Sequence, residues 1–320
     1  SFFMKIQNNI LKIIELNKNN NFKINIIKGV ILVNNNFISL FMDKAILYYD
    51  YFNQIISLII SMNNKFPNIF SLTLNLYNQI MTYNINTDKY NEITKVGFNI
   101  LNSVNSIYNS IKNTDDLMYL ANKQTEFIVL YIQKSSDFIN NLSNSGIFVK
   151  SLENIINIFE LGNHKDFFIN FINLIKLLID YSKNNNYFQN ILKEKFIEKI
   201  MNLIINHIKY FDASYYKCIN ICFYIFINCI NNSLEEKFCF ALNNCFEEKK
   251  ISEVIINYLR FIINDMPIKK NDKKFKELLI DLKELYHGTN KIKYKFIEKY
   301  LAEINNKETK NMNDKYQTIK

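Results

Sequence analysis

Apolar residues recur at three- and four-residue steps through nearly all of this chain, in helix-length runs parted by short polar gaps. Over 88–112, Ile93, Val96, Ile100, Val104, Ile107 and Ile111 share one helical face, while Asn91, Glu92, Lys95, Asn99 and Asn102 take the other. That spacing predicts an amphipathic helix with a single stripe to bury. The stretches 275–286 (Phe275, Leu278, Leu279, Leu282, Leu285) and 292–304 (Ile292, Phe296, Ile297, Tyr300, Leu301, Ile304) predict two more. Phe167 to Ile179 is apolar almost all round, broken only by Asn170, Asn173 and Lys176, and reads as an inner helix contacted on several sides.

Only two prolines and five glycines interrupt the pattern. Pro67 suits a first helical turn, where its missing N–H is not needed. Thr114 with Asp115 and Asp116 sets acids at a helix start, favourable against the helix dipole. Ser233 and Glu236 have capping-box spacing, and Pro267 ends the helix that carries Arg260. Roughly fourteen helices follow, about seven antiparallel pairs at the ~40–47 residues per pair of HEAT-like arrays. The expected fold is therefore all-α: a HEAT-like helical-repeat solenoid, or α-α superhelix, over 1–306, with a polar, disordered tail at 307–320. The chain opens inside an apolar periodic segment, Ser1-Phe2-Phe3-Met4, so further repeats are expected upstream.

Composition modifies this picture in one respect. There are 38 lysines beside a single arginine, no tryptophan and 53 asparagines. Such usage points to a very AT-rich genome, of the Plasmodium kind. Asparagine competes with helical backbone hydrogen bonds, but here it reads as the default polar filler. The longest uncharged windows, Phe66 to Thr87 and Cys218 to Leu234, carry too many asparagines to cross a bilayer and read as buried helices. No signal-peptide pattern opens the chain.

Charge and chemistry narrow the function classes. The net charge is +9, and residues 266–320 hold fourteen lysines against eight acids. Within that region Lys269, Lys270, Lys273, Lys274 and Lys276 form a candidate surface for an acidic or phosphorylated partner. Base-stacking aromatics are not interleaved with the lysines, so direct nucleic-acid binding is not expected. Cys218, Cys222 and Cys229 share a helical face and, with Cys239 and Cys245, read as reduced core thiols; CxxC spacing for zinc is absent. His164 reads as a turn residue capping a helix, and His207 and His287 as structural too. No nucleophile, base and carboxylate converge, so neither a catalytic site nor a bound cofactor is expected.

Order and spacing from about Phe66 to Tyr286 resemble the C-terminal arch of the karyopherin-β nuclear transport receptors, nearest to the transportin-SR and importin-thirteen branch. The resembling text is Thr114-Asp115-Asp116-Leu117, Tyr131-Ile132-Gln133-Lys134-Ser135 running into Phe138-Ile139, and Leu161-Gly162-Asn163-His164-Lys165-Asp166 leading into Phe171-Ile172 and Leu177-Leu178. Leu203-Ile204 and His207 before Phe211-Asp212-Ala213 look like the next repeat, and Phe238 to Phe246 like a short successor. The resemblance implies a non-enzymatic receptor of cytoplasm and nucleus. It would carry cargo proteins past nucleoporins under control of the Ran GTPase, with Ran bound mainly by an N-terminal region missing from this chain. Two departures stand out. The counterpart of transportin-SR's arginine-rich helix, around Lys23 to Val33, has no arginine, and the family is usually acidic where this chain is basic. The alternative is a helical-repeat scaffold or adaptor with no Ran coupling.

Overall fold

The computed structural model describes residues 23–41, 49–61, 67–83, 90–134, 146–162, 164–208, 210, 216–231, 235–245, 255–257 and 259–260, with isolated positions at 5, 8–9, 11–13, 15 and 302. Of the described residues 93% are helical and none is in a strand, so the fold is all-α. The helix predicted at 275–286, the one predicted at 292–304 apart from position 302, the Pro267 stop, Ser233 of the capping box and the tail all lie outside the described residues.

Two compact units divide the chain, 1–177 and 178–320. The first holds α1 (Lys23–Phe41), α2 (Tyr49–Ser61), α3 (Pro67–Tyr83), α4 (Tyr90–Ile107), α5 (Thr114–Lys134), α6 (Ile147–Phe159) and most of α7 (Lys165–Ser182). Pro67 is the first residue of α3, as its missing N–H predicts. The stripe read in 88–112 holds through α4, where Ile100, Val104 and Ile107 are buried and Lys95, Asn99 and Asn102 exposed. Ile111 lies beyond it: a 3-10 turn, Tyr108–Ser110, closes the helix and Ile111 is extended, with φ −89° and ψ 124°. Asn113, rather than Thr114, caps α5. Its Oδ1 accepts from the backbone N–H groups of Asp115 at 2.8 Å and Asp116 at 3.4 Å, two of the donors a helix start leaves orphaned.

Among the described helices of this unit, α1 packs on α3, α3 on α5, α2 on α4, and α4 on α6. In addition α3 touches α4, and α5 touches α6. Aromatic rings fill the seams. Phe127 of α5 sits 5.3 Å from Tyr77 of α3 and 4.9 Å from Tyr131, and the Tyr77 and Tyr131 hydroxyls lie 3.1 Å apart. Gly97 of α4 makes room for Tyr131, whose Cζ would stand 2.7 Å from any Cβ added there. Phe159 of α6 stacks on Phe171 of α7 at 4.5 Å. The expectation that Phe167 to Ile179 is an inner helix fits: Phe167, Phe168, Phe171, Ile172, Leu174 and Ile175 of the first unit are all buried.

Asparagine is more than filler in this interior. Asn105 of α4 donates to Ser151 Oγ at 3.0 Å and to the Ile147 carbonyl at 3.2 Å. Its Oδ1 accepts from Gln124 at 3.0 Å and from Asn154 at 3.2 Å. The buried Tyr108 hydroxyl in turn donates to Gln124 Oε1 at 2.6 Å. Buried amides need such partners, since an unmade hydrogen bond costs about 1–3 kcal/mol, and the network ties α4, α5 and α6 in one register.

The second unit comprises the end of α7, α8 (Asn186–Ile191), a π turn (Leu192–Phe196), α9 (Ile197–Ile208), α10 (Tyr216–Asn231) and α11 (Glu235–Cys245), with α11 packed on α9 and α10. The π turn follows from the sequence. Phe188, Leu192, Phe196, Ile200, Ile204 and Ile208 recur every fourth residue, and all are buried. In a helix of 3.6 residues per turn that spacing drifts steadily round the axis. One wide i→i+5 turn takes up the drift and keeps the stripe on the core side. Cys218, Cys222 and Cys229 of α10 are buried as predicted, with Cys229 Sγ 3.8 Å from Met201 Sδ. Cys239 is half-buried, and the Cys245 side chain lies outside the described residues.

Candidate functional groove

Between α5 and the start of α7, both in the first unit, runs an open groove of about 750 Å3. Asp115, Tyr119, Asn122, Lys123 and Glu126 line its α5 wall, and His164, Asp166, Phe167 and Asn170 the other. The α5 residues recur at helical spacing, while the opposite face of the helix carries Leu120, Ala121, Gln124, Phe127 and Ile128 into the core. One helix therefore serves both the core and the groove, through the same 3.6-residue period.

The polar groups in the middle of the groove are fixed by one another. Asn170 Nδ2 donates to Asn122 Oδ1 at 2.8 Å and to Glu126 Oε1 at 3.1 Å. Lys123 Nζ pairs with Glu126 Oε2 at 2.8 Å and lies 5.8 Å from the centre of the Tyr119 ring. At the end where α5 and α7 begin, Asp115 and Asp166 have no ion-pair partner among the described residues. Each sits in a first helical turn, where the dipole contributes about half a positive charge. Two carboxylates outweigh two such half charges, so this end stays electronegative in a chain of net charge +9. Tyr119, 46% exposed, adds an aromatic face beside it.

His164 occupies the position before α7 that the sequence predicts for a capping residue. Its carbonyl accepts the first helical hydrogen bond, from Phe168 N–H at 2.8 Å. His207 is buried near the end of α9, edge-on to Tyr210 at 5.5 Å. His287 and the lysine cluster Lys269, Lys270, Lys273, Lys274 and Lys276 lie outside the described residues. Burial pushes the Cys229 thiol up to about 12 and Cys222 further, so both remain protonated and unreactive at neutral pH. Among the described residues no three His, Cys, Asp or Glu side chains are grouped to hold a metal ion. No described helix is long and apolar enough to cross a membrane.

Sequence reading singled out Asp115, Asp116 and His164 one by one but not the groove that joins Asp115 to His164. The polar residues of α5 and α7 that bond stand 44 and 48 positions apart, too far for a local pattern to join them. No family model matches the chain, and neither a curated protein nor a solved structure matches it.

Proposed function

We propose that the chain is a HEAT-like helical-repeat scaffold that binds other proteins, and that the α5–α7 groove takes a basic segment of a partner. The repeat reading draws support from the spacing of contacts. Among the described helices α1 packs on α3, α2 on α4, α3 on α5 and α4 on α6, and hydrogen bonds between helices recur 54 positions apart at Tyr77–Tyr131, 46 at Asn105–Ser151 and 48 at Asn122–Asn170. A unit of two helices stacked on its like produces such intervals. The binding reading is carried by one observation, the unpaired Asp115 and Asp166 beside an exposed tyrosine. Carboxylates attract lysine or arginine, and the ring face adds a cation–π contribution.

Transport of cargo under Ran control, by a receptor that is not an enzyme, is the more specific role within this reading. Two motifs of the karyopherin-β resemblance, Thr114–Leu117 and Leu161–Asp166, supply Asp115, His164 and Asp166 to the same groove, which favours it. Its full form would involve cargo proteins, nucleoporins and both cytoplasm and nucleus.

A labelled twelve-residue peptide rich in lysine and arginine, titrated by fluorescence anisotropy, tests the groove. Exposed charge pairs contribute about 0.2–1 kcal/mol each, so D115N/D166N should weaken binding about five- to tenfold. Equal affinity of the variant would remove the groove from the account. For the transport role, cargo captured by the full-length protein should be released by Ran loaded with GTP. Failure to bind Ran at all would leave the scaffold without that role.

A further inference from the structure

In the second unit a separate groove, of about 300 Å3, opens beside the π turn, lined by Lys193, Lys195, Lys199 and Lys237 with Glu194 and Glu198 between them. Three of the lysines come from the π turn and α9; the fourth arrives on α11, 38 positions after Lys199. Folding thus adds a positive charge where three already stand. Lys237 Nζ reaches Glu198 Oε2 at 3.5 Å, and Lys193 and Lys195 have no ion-pair partner among the described residues. With Lys237 paired to Glu198 and Lys199 engaged in a further interaction, Lys193 and Lys195 beside Glu194 leave a net positive charge that a bound anion offsets.

We infer that this groove is a second binding site, which takes a run of acidic side chains from an extended protein segment. Carboxylate runs fit better than a single phosphate for a geometric reason. The lysines are spread over the π turn and the next turn of α9, with Lys195 and Lys199 one helical turn apart, about 5–6 Å between Cβ atoms. Glu194 and Glu198 interleave with them, so the positive charge is divided along the groove rather than focused on one point. The π turn is consistent with the assignment, because such wide turns within α-helices are frequent at functional sites. This site does not depend on the role assigned to the α5–α7 groove.

The test uses the whole chain and a fluorescein-labelled twelve-residue peptide of alternating Asp, Glu and Ser, read by anisotropy at two salt concentrations. Exposed charges are screened over about 8 Å at physiological ionic strength, so affinity should fall as salt rises. The variant K193Q/K195Q/K199Q should bind at least about tenfold more weakly and lose most of the salt dependence, while K193R/K195R/K199R keeps both. Circular dichroism and urea midpoints matched to the parent show that the variants fold. A control variant of exposed lysines elsewhere, K95Q/K112Q/K150Q, should bind like the parent. The inference fails if the glutamine variant binds as the parent does, or if the control variant loses the peptide instead. It also fails if inorganic phosphate displaces the peptide at the concentration of the peptide's own carboxylates, which would mark a phosphate site.

Discussion

Gly97 illustrates how one residue reports on packing that composition conceals. In a helix interior alanine is favoured over glycine by about 1 kcal/mol, so propensity alone predicts that Gly97→Ala stabilises α4. The Tyr131 side chain says otherwise. It is fully buried, is hydrogen-bonded to Tyr77, and would crowd the new Cβ with Oη, with Cζ at 2.7 Å and with Cε2 at 2.9 Å. Overpacking of this kind costs about 1–3 kcal/mol, more than the propensity gain. Gly97→Ala should therefore lower stability by about 1–2 kcal/mol in urea unfolding, and adding Tyr131→Phe should recover part of the loss. A stabilised Gly97→Ala protein would show that the seam between α4 and α5 is looser than described. Asparagine carries the same lesson in reverse. Its abundance reads as filler, yet Asn105, Asn122 and Asn170 are wired across helices. A type-by-type reading could not separate them, because what distinguishes them is a partner some 46 positions away.

Helices and their ends were legible to different degrees. Apolar spacing and Pro67 placed α3 and α4 well, since a buried stripe and a missing N–H act locally. The start of α5 at Thr114, with Asp115 and Asp116 in its first turn, was legible, but its cap was not, because Asn113, Thr114, Asp115 and Asp116 all suit a helix start and only the turn before them selects one. Asn113→Ala removes the side-chain acceptor of two backbone N–H groups and should cost about 1 kcal/mol. The Thr114→Ala variant should cost less, with urea midpoints as the comparison. Equal losses would count against Asn113 as the cap. The π turn was likewise readable in principle: six buried apolar residues at strict four-residue steps cannot stay on one side of a regular α-helix. Cysteines at helical spacing on α10 were assigned to the core from sequence, and they lie there.

For the molecule as a whole, buried thiols couple stability to alkaline pH. Cys229 and Cys222 rise from an ordinary 9.0, the first to about 12, because burial penalises the thiolate. Their contribution is complete below about pH 9 and is lost as the pH climbs toward the folded values, since only the unfolded chain ionises in that window. Each thiol should lower unfolding free energy by about 1.4 kcal/mol per pH unit above 9. Urea midpoints that fall between pH 8 and 10.5, with the fall reduced in C222A/C229A, are the expected result; an unchanged slope in the variant would mean that other groups govern it. Tyr51, raised to about 12 by burial, joins only above its ordinary 10.0. Sequence by itself determined the all-α class and, where helices are described, the buried faces of α4, α7 and α10, because apolar periodicity acts within one helix and requires no partner. Tertiary structure alone decided the rest: the pairing of α1 with α3, α2 with α4, α3 with α5 and α4 with α6, the asparagine network, the groove of Asp115 and Asp166, and the lysines gathered at the π turn. Each of these depends on which positions forty to fifty residues apart come into contact. That choice is made by the joint packing of side chains, which no local pattern encodes.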